Sequence, residues 1–157
     1  EGGGSRQESV FKGMLYLKKL DRQPEYVLIH DAARPFLDAD TIDRVVKCTI
    51  DHDACTVGGA VSDTIKRVRD GKVLETLLRE ELCAVQTPQA ARFQTLLSAH
   101  EKASLSGYAT TDDAALLEWA GYDVRVVAGP AYNLKITQPL DLMLSESLAH
   151  FLLKDPL

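Results

Sequence analysis

The chemistry-bearing side chains of this sequence that fall at predicted strand ends or beside a predicted hairpin are Asp31, Arg34, Thr64, Arg79, Thr87 and Lys135. That inventory of cationic and polar side chains suits an anionic, phosphate-bearing substrate, because charge-assisted hydrogen bonds to phosphate oxygens are strong. The parts of other chemistries are missing. There is no G-x-S-x-G elbow, no H-E-x-x-H helix and no paired-carboxylate spacing suited to hydrolysis. His30 beside Asp31 could begin a metal pair, although a strand histidine satisfied by backbone explains it better. His52, His100 and His150 fall on predicted helices and read as surface. Lys135 lies between Leu134 and Ile136 in NLKIT, so in a strand its side chain leaves on the face opposite theirs. A lone strand lysine is ordinarily a snorkelling edge residue, and only a partner anion would raise it above that.

The elements that must position these groups begin with Tyr26 to Phe36, YVLIHDAARPF. Val27 to His30 read as a buried strand that runs into Asp31, two alanines, Arg34 and Pro35. In open α/β sheets ligands sit just beyond the carboxyl ends of parallel strands, so this cluster is a candidate site edge. Ala32 and Ala33 allow close backbone approach, and Pro35 keeps the turn from relaxing into helix. A simple Asp31 to Arg34 turn pair accounts for the same residues equally well.

Gly2 to Gly4 predict a flexible or ligand-hugging turn before a helix capped by Ser5, with Val10, Phe11, Met14, Leu15 and Leu17 on its apolar face. Asp38 or Asp40 caps a second helix whose Ile42, Val45, Val46 and Ile50 are expected to face the core. A strand follows near Ala54 to Val61, and Asp70-Gly71 between Thr64–Val68 and Val73–Leu78 is a strong hairpin signal. That hairpin gathers Lys66, Arg67, Arg69 and Lys72. It is either a solvated edge or an arm reaching an anionic ligand or a second subunit. Cys83 to Thr87 reads as a short strand, Ala91 to Leu105 as a helix, and Thr111 as the cap of a further helix ending at Gly121. Val124 to Val127 and Asn133 to Thr137 read as strands. Pro139 opens a closing helix with Leu140, Met143, Leu144, Leu148, Phe151 and Leu152 toward the core. Strands alternating with helices predict a layered, Rossmann-like α/β fold with a mainly parallel sheet flanked by helices.

The 157 residues fit one domain, 45% hydrophobic and 26% charged. A net charge of −5 argues against non-specific nucleic-acid binding, so an anion site must be a local cationic cluster. Cys48, Cys55 and Cys83 suggest neither a disulfide framework nor a zinc site, and a reducing cytoplasm is the default compartment. No apolar run approaches the roughly 18 residues of a membrane span.

In order, GGG-S-R-x-x-S-V, IHDAARPF, VSDTIKRV, the R-x-x-L before QTPQ, ATTDDAALLE and NLKIT-x-P-x-D-L resemble the 2-C-methyl-D-erythritol 4-phosphate cytidylyltransferases over nearly the whole chain. HDAARP is fairly specific, and the ordered set is much stronger than any single piece. The resemblance implies transfer of CMP from CTP to 2-C-methyl-D-erythritol 4-phosphate with release of pyrophosphate, in the non-mevalonate route to isoprenoids. It implies that Gly3, Gly4 and Ser9 form the cytosine-side loop, and that Asp31 and Ala32 contact ribose and phosphate with Arg34 in support. Arg79 and Lys135 would position the acceptor phosphate, with Thr64 near it. Magnesium would be held mainly by the CTP phosphates, with no metal-ligating protein residue assigned. The hairpin, about residues 62–81, would be an arm crossing to the second subunit of a homodimer, so Thr64 and Arg79 would serve the neighbour's site. The protein would be cytoplasmic in a bacterium, or plastidic in a plant or alga.

The resemblance begins about a third of the way into the family's length. The family's first strand and its glycine-rich loop, with an arginine and a lysine that grip the triphosphate, have no counterpart here. Residues 1–157 are thus expected to form a single nucleotidyltransferase domain, incomplete at its N-terminus and inactive alone. Leu78, Cys83 and Gly4 stand where the family commonly has an acid, a tryptophan and an acid. The alternatives are a pentitol (ribitol) phosphate cytidylyltransferase, which Ala33 argues against, and a non-catalytic nucleotide-binding or dimerisation fragment.

Overall fold

The structure, a computed structural model, describes residues 1–154. Helix α1 (Arg6–Leu17) starts at Ser5, whose hydroxyl accepts the Glu8 amide, and it buries Met14. Strand β1 (Tyr26–Ile29) leads through the HDAARP loop to α2 (Ala39–His52), capped by Asp38 through the Thr41 amide. Then come β2 (Ala54–Ala60), the hairpin strands β3 (Lys66–Arg69) and β4 (Lys72–Thr76), a 3₁₀ turn at Arg79–Glu81, and β5 (Cys83–Arg92). Helices α3 (Phe93–Ser106) and α4 (Asp113–Ala120), strand β6 (Arg125–Ala128) and helix α5 (Pro139–Lys154) complete the order.

The main sheet runs β1-β5-β2-β6. β5 is antiparallel to both of its neighbours, whereas β2 and β6 pair in parallel. β1, β2 and β6 therefore share one direction and β5 alone opposes them, giving a mixed sheet in which the expected parallel direction prevails among strands but not among pairings. Adjacent residues of β5 point to opposite faces. Ala91 joins Met14, Val27, Phe93, Leu96, Leu116 and Leu117 in the core beneath α1, α3 and α4. Ala90 joins Val45, Cys55, Val57 and Val127 beneath α2. The layered α/β expectation holds.

Several local expectations are corrected. The buried stripe of α2 is Thr41, Val45 and Thr49, while Ile42, Val46 and Ile50 are exposed. Burial of two threonines is tolerable because Thr41 donates to Asp38 and Thr49 to the Val45 carbonyl, leaving no orphaned hydroxyl. In α5, Leu140, Met143, Leu144 and Phe151 are exposed, and among its described side chains the buried one is Ser145. β5 does not stop at Thr87 but continues through Pro88 to Arg92, and α3 begins at Phe93. Asp112, not Thr111, caps α4. NLKIT is an extended connection outside the sheet. His100 is buried, 1% exposed, because the packed ring of Phe11 and the carboxylate of Asp113 receive it; His52 and His150 are exposed as expected.

The hairpin forms its own two-stranded sheet, every residue of β3 and β4 exposed. Asp70 and Gly71 both have positive φ, 49° and 75°, as a two-residue hairpin turn of the twist-matched kind requires. No helix among the described residues is long and apolar enough to cross a membrane.

Candidate functional site

Where β1 ends, the chain turns on itself: the Arg34 amide donates to the Asp31 carbonyl at 2.9 Å. β5 holds this turn from the side. The Thr87 hydroxyl accepts the Asp31 amide at 3.1 Å and lies 2.9 Å from His30 Nδ1, while His30 Nε2 meets the Arg34 carbonyl. His30 is thus engaged with a hydroxyl and with backbone. The turn exists, but its expected side-chain pair does not. Arg34 donates to the Asn133 carbonyl at 2.7 Å, and the Asp31 carboxylate looks elsewhere.

Asp31 faces two cations. Lys135 Nζ lies 2.8 Å from Oδ2 and Arg6 Nε 3.2 Å from Oδ1. Burial acts on Asp31 to raise its pKa, but the hydrogen bonds and charges of Lys135 and Arg6 outweigh it and hold the carboxyl below its ordinary value. Lys135 reaches this place because NLKIT is clamped at both ends. Asn133, fully buried, donates to the Thr87 carbonyl at 2.9 Å and to Gln86, and the Ile136 amide donates to the Ala33 carbonyl at 2.8 Å. Leu134 and Ile136 are half-buried while Lys135 is exposed, so the alternation expected of a strand holds without a sheet.

The third wall is the start of α4. Gln89 of β5 accepts the Asp113 and Ala114 amides and donates to Asp112, which satisfies amides that a helix N-terminus leaves unpaired. Asp113 in turn receives Arg6 Nη1 at 2.7 Å. Burial lowers the Arg6 pKa, and the two carboxylates, Asp113 foremost, more than reverse this. Arg6, Asp31, Gln89, Asp112 and Lys135 border a cleft of about 140 Å³. Two guanidinium atoms among its lining residues, Arg6 Nη2 and Arg34 Nε, have no hydrogen-bond partner among the described residues. A wider cleft of about 850 Å³ near Asp38, Arg44 and Tyr132 shares no residue with it. Its polar groups are consumed internally: Tyr132 donates to Asp38, and Arg44 donates to Asp40, Thr41 and the Ala128 carbonyl. The smaller cleft is the better candidate for ligand chemistry.

Of the residues singled out from sequence, Asp31, Arg34, Thr87 and Lys135 come together there. Gly3, Gly4 and Ser9 form a separate, self-bonded loop: Ser9 accepts the Gly3 amide at 2.9 Å, and Glu8 accepts the Gly4 amide at 2.6 Å. A Cβ on Gly3 would lie 2.5 Å from Glu8 Cβ, so only glycine fits. Ala32 is exposed at the turn. Thr64 and Arg79 are exposed at the base of the hairpin, where Arg79 donates to the Ser62 carbonyl at 2.9 Å, and neither lines the cleft. Sequence reasoning assigned no site role to Arg6, Gln89 or Asp113. Each lies in a quoted motif, which was the available signal.

The profile of the 2-C-methyl-D-erythritol 4-phosphate cytidylyltransferase family matches residues 1–152. A Bacillus cytotoxicus protein of that name is 44% identical over 150 residues, covering 96% of this chain and 65% of its own length. One from Halalkalibacterium halodurans is 47% identical over 147 residues, covering 94% and 63%. The crystal structure of the Thermus thermophilus enzyme of the same name superposes with a TM-score of 0.86 at 35% identity, covering 96% of this chain and 72% of that one. The chain therefore spans slightly less than two thirds of the length of these two sequence relatives. With a matching profile along nearly all of its length and relatives of this identity, the chain belongs to the 2-C-methyl-D-erythritol 4-phosphate cytidylyltransferase family.

Proposed function

We propose that the protein carrying this chain transfers CMP from CTP to 2-C-methyl-D-erythritol 4-phosphate and releases pyrophosphate, serving non-mevalonate isoprenoid synthesis in the cytoplasm. The observation that carries the reading is the Lys135 ammonium, 2.8 Å from Asp31 at the cleft and 42% exposed. An ammonium has three N–H donors, so a contact with one carboxylate oxygen leaves donors for an acceptor phosphate.

The chemistry asks little of a general base. A phosphate monoester with a second pKa of about 6 is largely dianionic at neutral pH. One of its oxygens attacks the α-phosphorus of CTP, the new P–O bond forms as the bond to pyrophosphate breaks, and no proton need move first. What the reaction needs is two anions held in line with their charge neutralised. Lys135 would hold the acceptor phosphate, joined by Arg79 and Thr64 from a second subunit. That exchange requires a homodimer through the arm, and the exposure of every residue of β3 and β4 leaves the arm free to cross. Gly3, Gly4, Ser9, Asp31 and Ala32 would receive the nucleotide, with Arg34 bracing the turn beneath it. Both Asp31 oxygens already face cations, so magnesium fits best on the CTP phosphates, where it would neutralise their charge.

The test is pyrophosphate release by the full-length protein with CTP, magnesium and either 2-C-methyl-D-erythritol 4-phosphate or ribitol phosphate. Release dependent on the methylerythritol phosphate is expected. Preference for the ribitol ester, or no acceptor-dependent release, would overturn the reading.

A further inference from the structure

Arg6 sits in a line of four alternating charges. Its Nη1 is 2.7 Å from Asp113 Oδ2, its Nε is 3.2 Å from Asp31 Oδ1, and the other Asp31 oxygen is 2.8 Å from Lys135. The far end of the line is fixed. The Asp113 side chain is 3% exposed, its backbone amide is held by Gln89, and its Oδ1 is 3.4 Å from the buried His100, which stacks on Phe11. The Arg6 backbone is fixed as well, at the first turn of a helix docked through Met14. A planar guanidinium held at one end by a buried carboxylate presents its remaining donors in one direction.

We propose that Arg6, anchored by Asp113, is a positioning residue that divides the Asp31 carboxylate with Lys135 and so keeps the Lys135 ammonium available to an incoming phosphate. The inference rests on the reading that Lys135 receives the acceptor phosphate. Its electrostatic content is simple. Without Arg6, Lys135 is left as the one direct salt-bridge partner of Asp31 among the described residues, pairs with it more fully and gives it up less readily. Without the charge on Asp113, Arg6 leans more fully on Asp31 and Lys135 is loosened. A residue whose role is only to hold the fold together does not act in opposite directions through its two partners.

The test uses the full-length protein and the rate at which a small amine-reactive ester acetylates Lys135, read by peptide mass spectrometry and normalised to the exposed Lys47. Only the neutral amine reacts, so tighter pairing slows the reaction. A unit charge removed at this range is expected to change the rate about three- to tenfold. R6Q should acetylate Lys135 more slowly than wild type, R6K should restore the rate to within about twofold, and D113N should acetylate it faster. R6Q and D113N shifting in the same direction, or both remaining at the wild-type rate, overturns the proposal. Should R6Q not fold, D113N decides alone: a rate equal to or below wild type overturns it. In the pyrophosphate assay R6Q should raise KM for the acceptor more than it lowers kcat, and an unchanged acceptor KM counts against the proposal. A wild-type protein without acceptor-dependent release would defeat the functional reading, while the acetylation pattern would still decide the role of Arg6.

Discussion

The cleft around Asp31 and the β3–β4 arm are both rich in charge, yet they are built on opposite principles. In the cleft, Asp31 is held by three contacts from three other parts of the chain: Arg6 from α1, Thr87 from β5 and Lys135 from the NLKIT connection. In the arm the ion pair is local, Arg67 to Glu75 across the hairpin, and both side chains are about half exposed or more. Exposed pairs of that kind contribute little to stability. The body of this chain thus fixes one set of charges in place, while the arm fixes only its own hairpin and leaves its side chains to be ordered by whatever they meet.

The largest test of that contrast is in packing. Phe93 opens α3 inside the core at 1% exposure, directly beyond the strand that holds Thr87 and Gln89. Phe93→Ala should cost about 3–5 kcal/mol of unfolding free energy, whereas Val68→Ala in the arm should stay within about 0.5 kcal/mol. Urea denaturation of the two variants measures both, and comparable losses would mean that the arm packs in a way its exposure denies.

Activity comes next. Lys135→Ala should lower kcat/KM for the acceptor by about 10²–10³, the usual effect of removing a group that stabilises developing charge. Arg79→Ala should lower it too, although Arg79 does not line the cleft of its own chain. Mixing the two inactive variants and letting subunits exchange should restore about a quarter of wild-type activity, since half the dimers would be hybrids with one intact site. No recovery would place Arg79 and Lys135 in the same chain's site, or outside any site.

Much of the body was legible in sequence because its signals are local. Ser5 and Asp38 cap their helices, Asp70-Gly71 turns the hairpin, and Lys135 points away from Leu134 and Ile136 as alternation requires. What was not legible depends on partners distant in the chain. Arg6 and Asp113 meet across 107 residues, and nothing in either neighbourhood announces the other. His100 looks like a helix-surface residue until Phe11 and Asp113 are seen to enclose it. NLKIT has the alternation of a strand, but its Asn133 carbonyl accepts from the Arg34 side chain, and its Asn133, Ile136 and Thr137 amides donate to the Pro130 carbonyl, the Ala33 carbonyl and the Asp141 carboxylate, so it never joins the sheet. In α2 the apolar periodicity pointed to the wrong face, because two threonines that satisfy their own hydroxyls locally pack inward beside Val45.

The cleft also responds to acid in a way the arm should not. The Asp31 carboxyl in the folded protein lies below its ordinary value of 3.8, despite burial, because Lys135 and Arg6 favour the charged form. The stabilisation from those pairs is therefore complete above that ordinary value and is lost as pH falls through the lower folded value. The stability difference between wild type and D31N should be constant near neutrality and shrink as pH drops below about 4. Urea midpoints at a series of pH values measure it. A difference that widened on acidification would mean that the folded carboxyl is instead harder to ionise.

The smallest expected effect is confined to the arm. Gly71 has φ of 75°, and a Cβ there would meet no atom within 4 Å, so Gly71→Ala adds backbone strain without a clash. A residue with a side chain in the left-handed region costs roughly 1 kcal/mol relative to glycine. Since β3 and β4 pair only with each other among the described strands, that cost should fall on the hairpin and not on the body. Hydrogen exchange of the β3 and β4 amides should accelerate about fivefold, while the amides of β5 and α3 exchange as in wild type. Equal acceleration in both would show that the arm and the body unfold as one unit. A change confined to the arm would establish that its order is separable from the body, which is what an element that reaches another subunit requires.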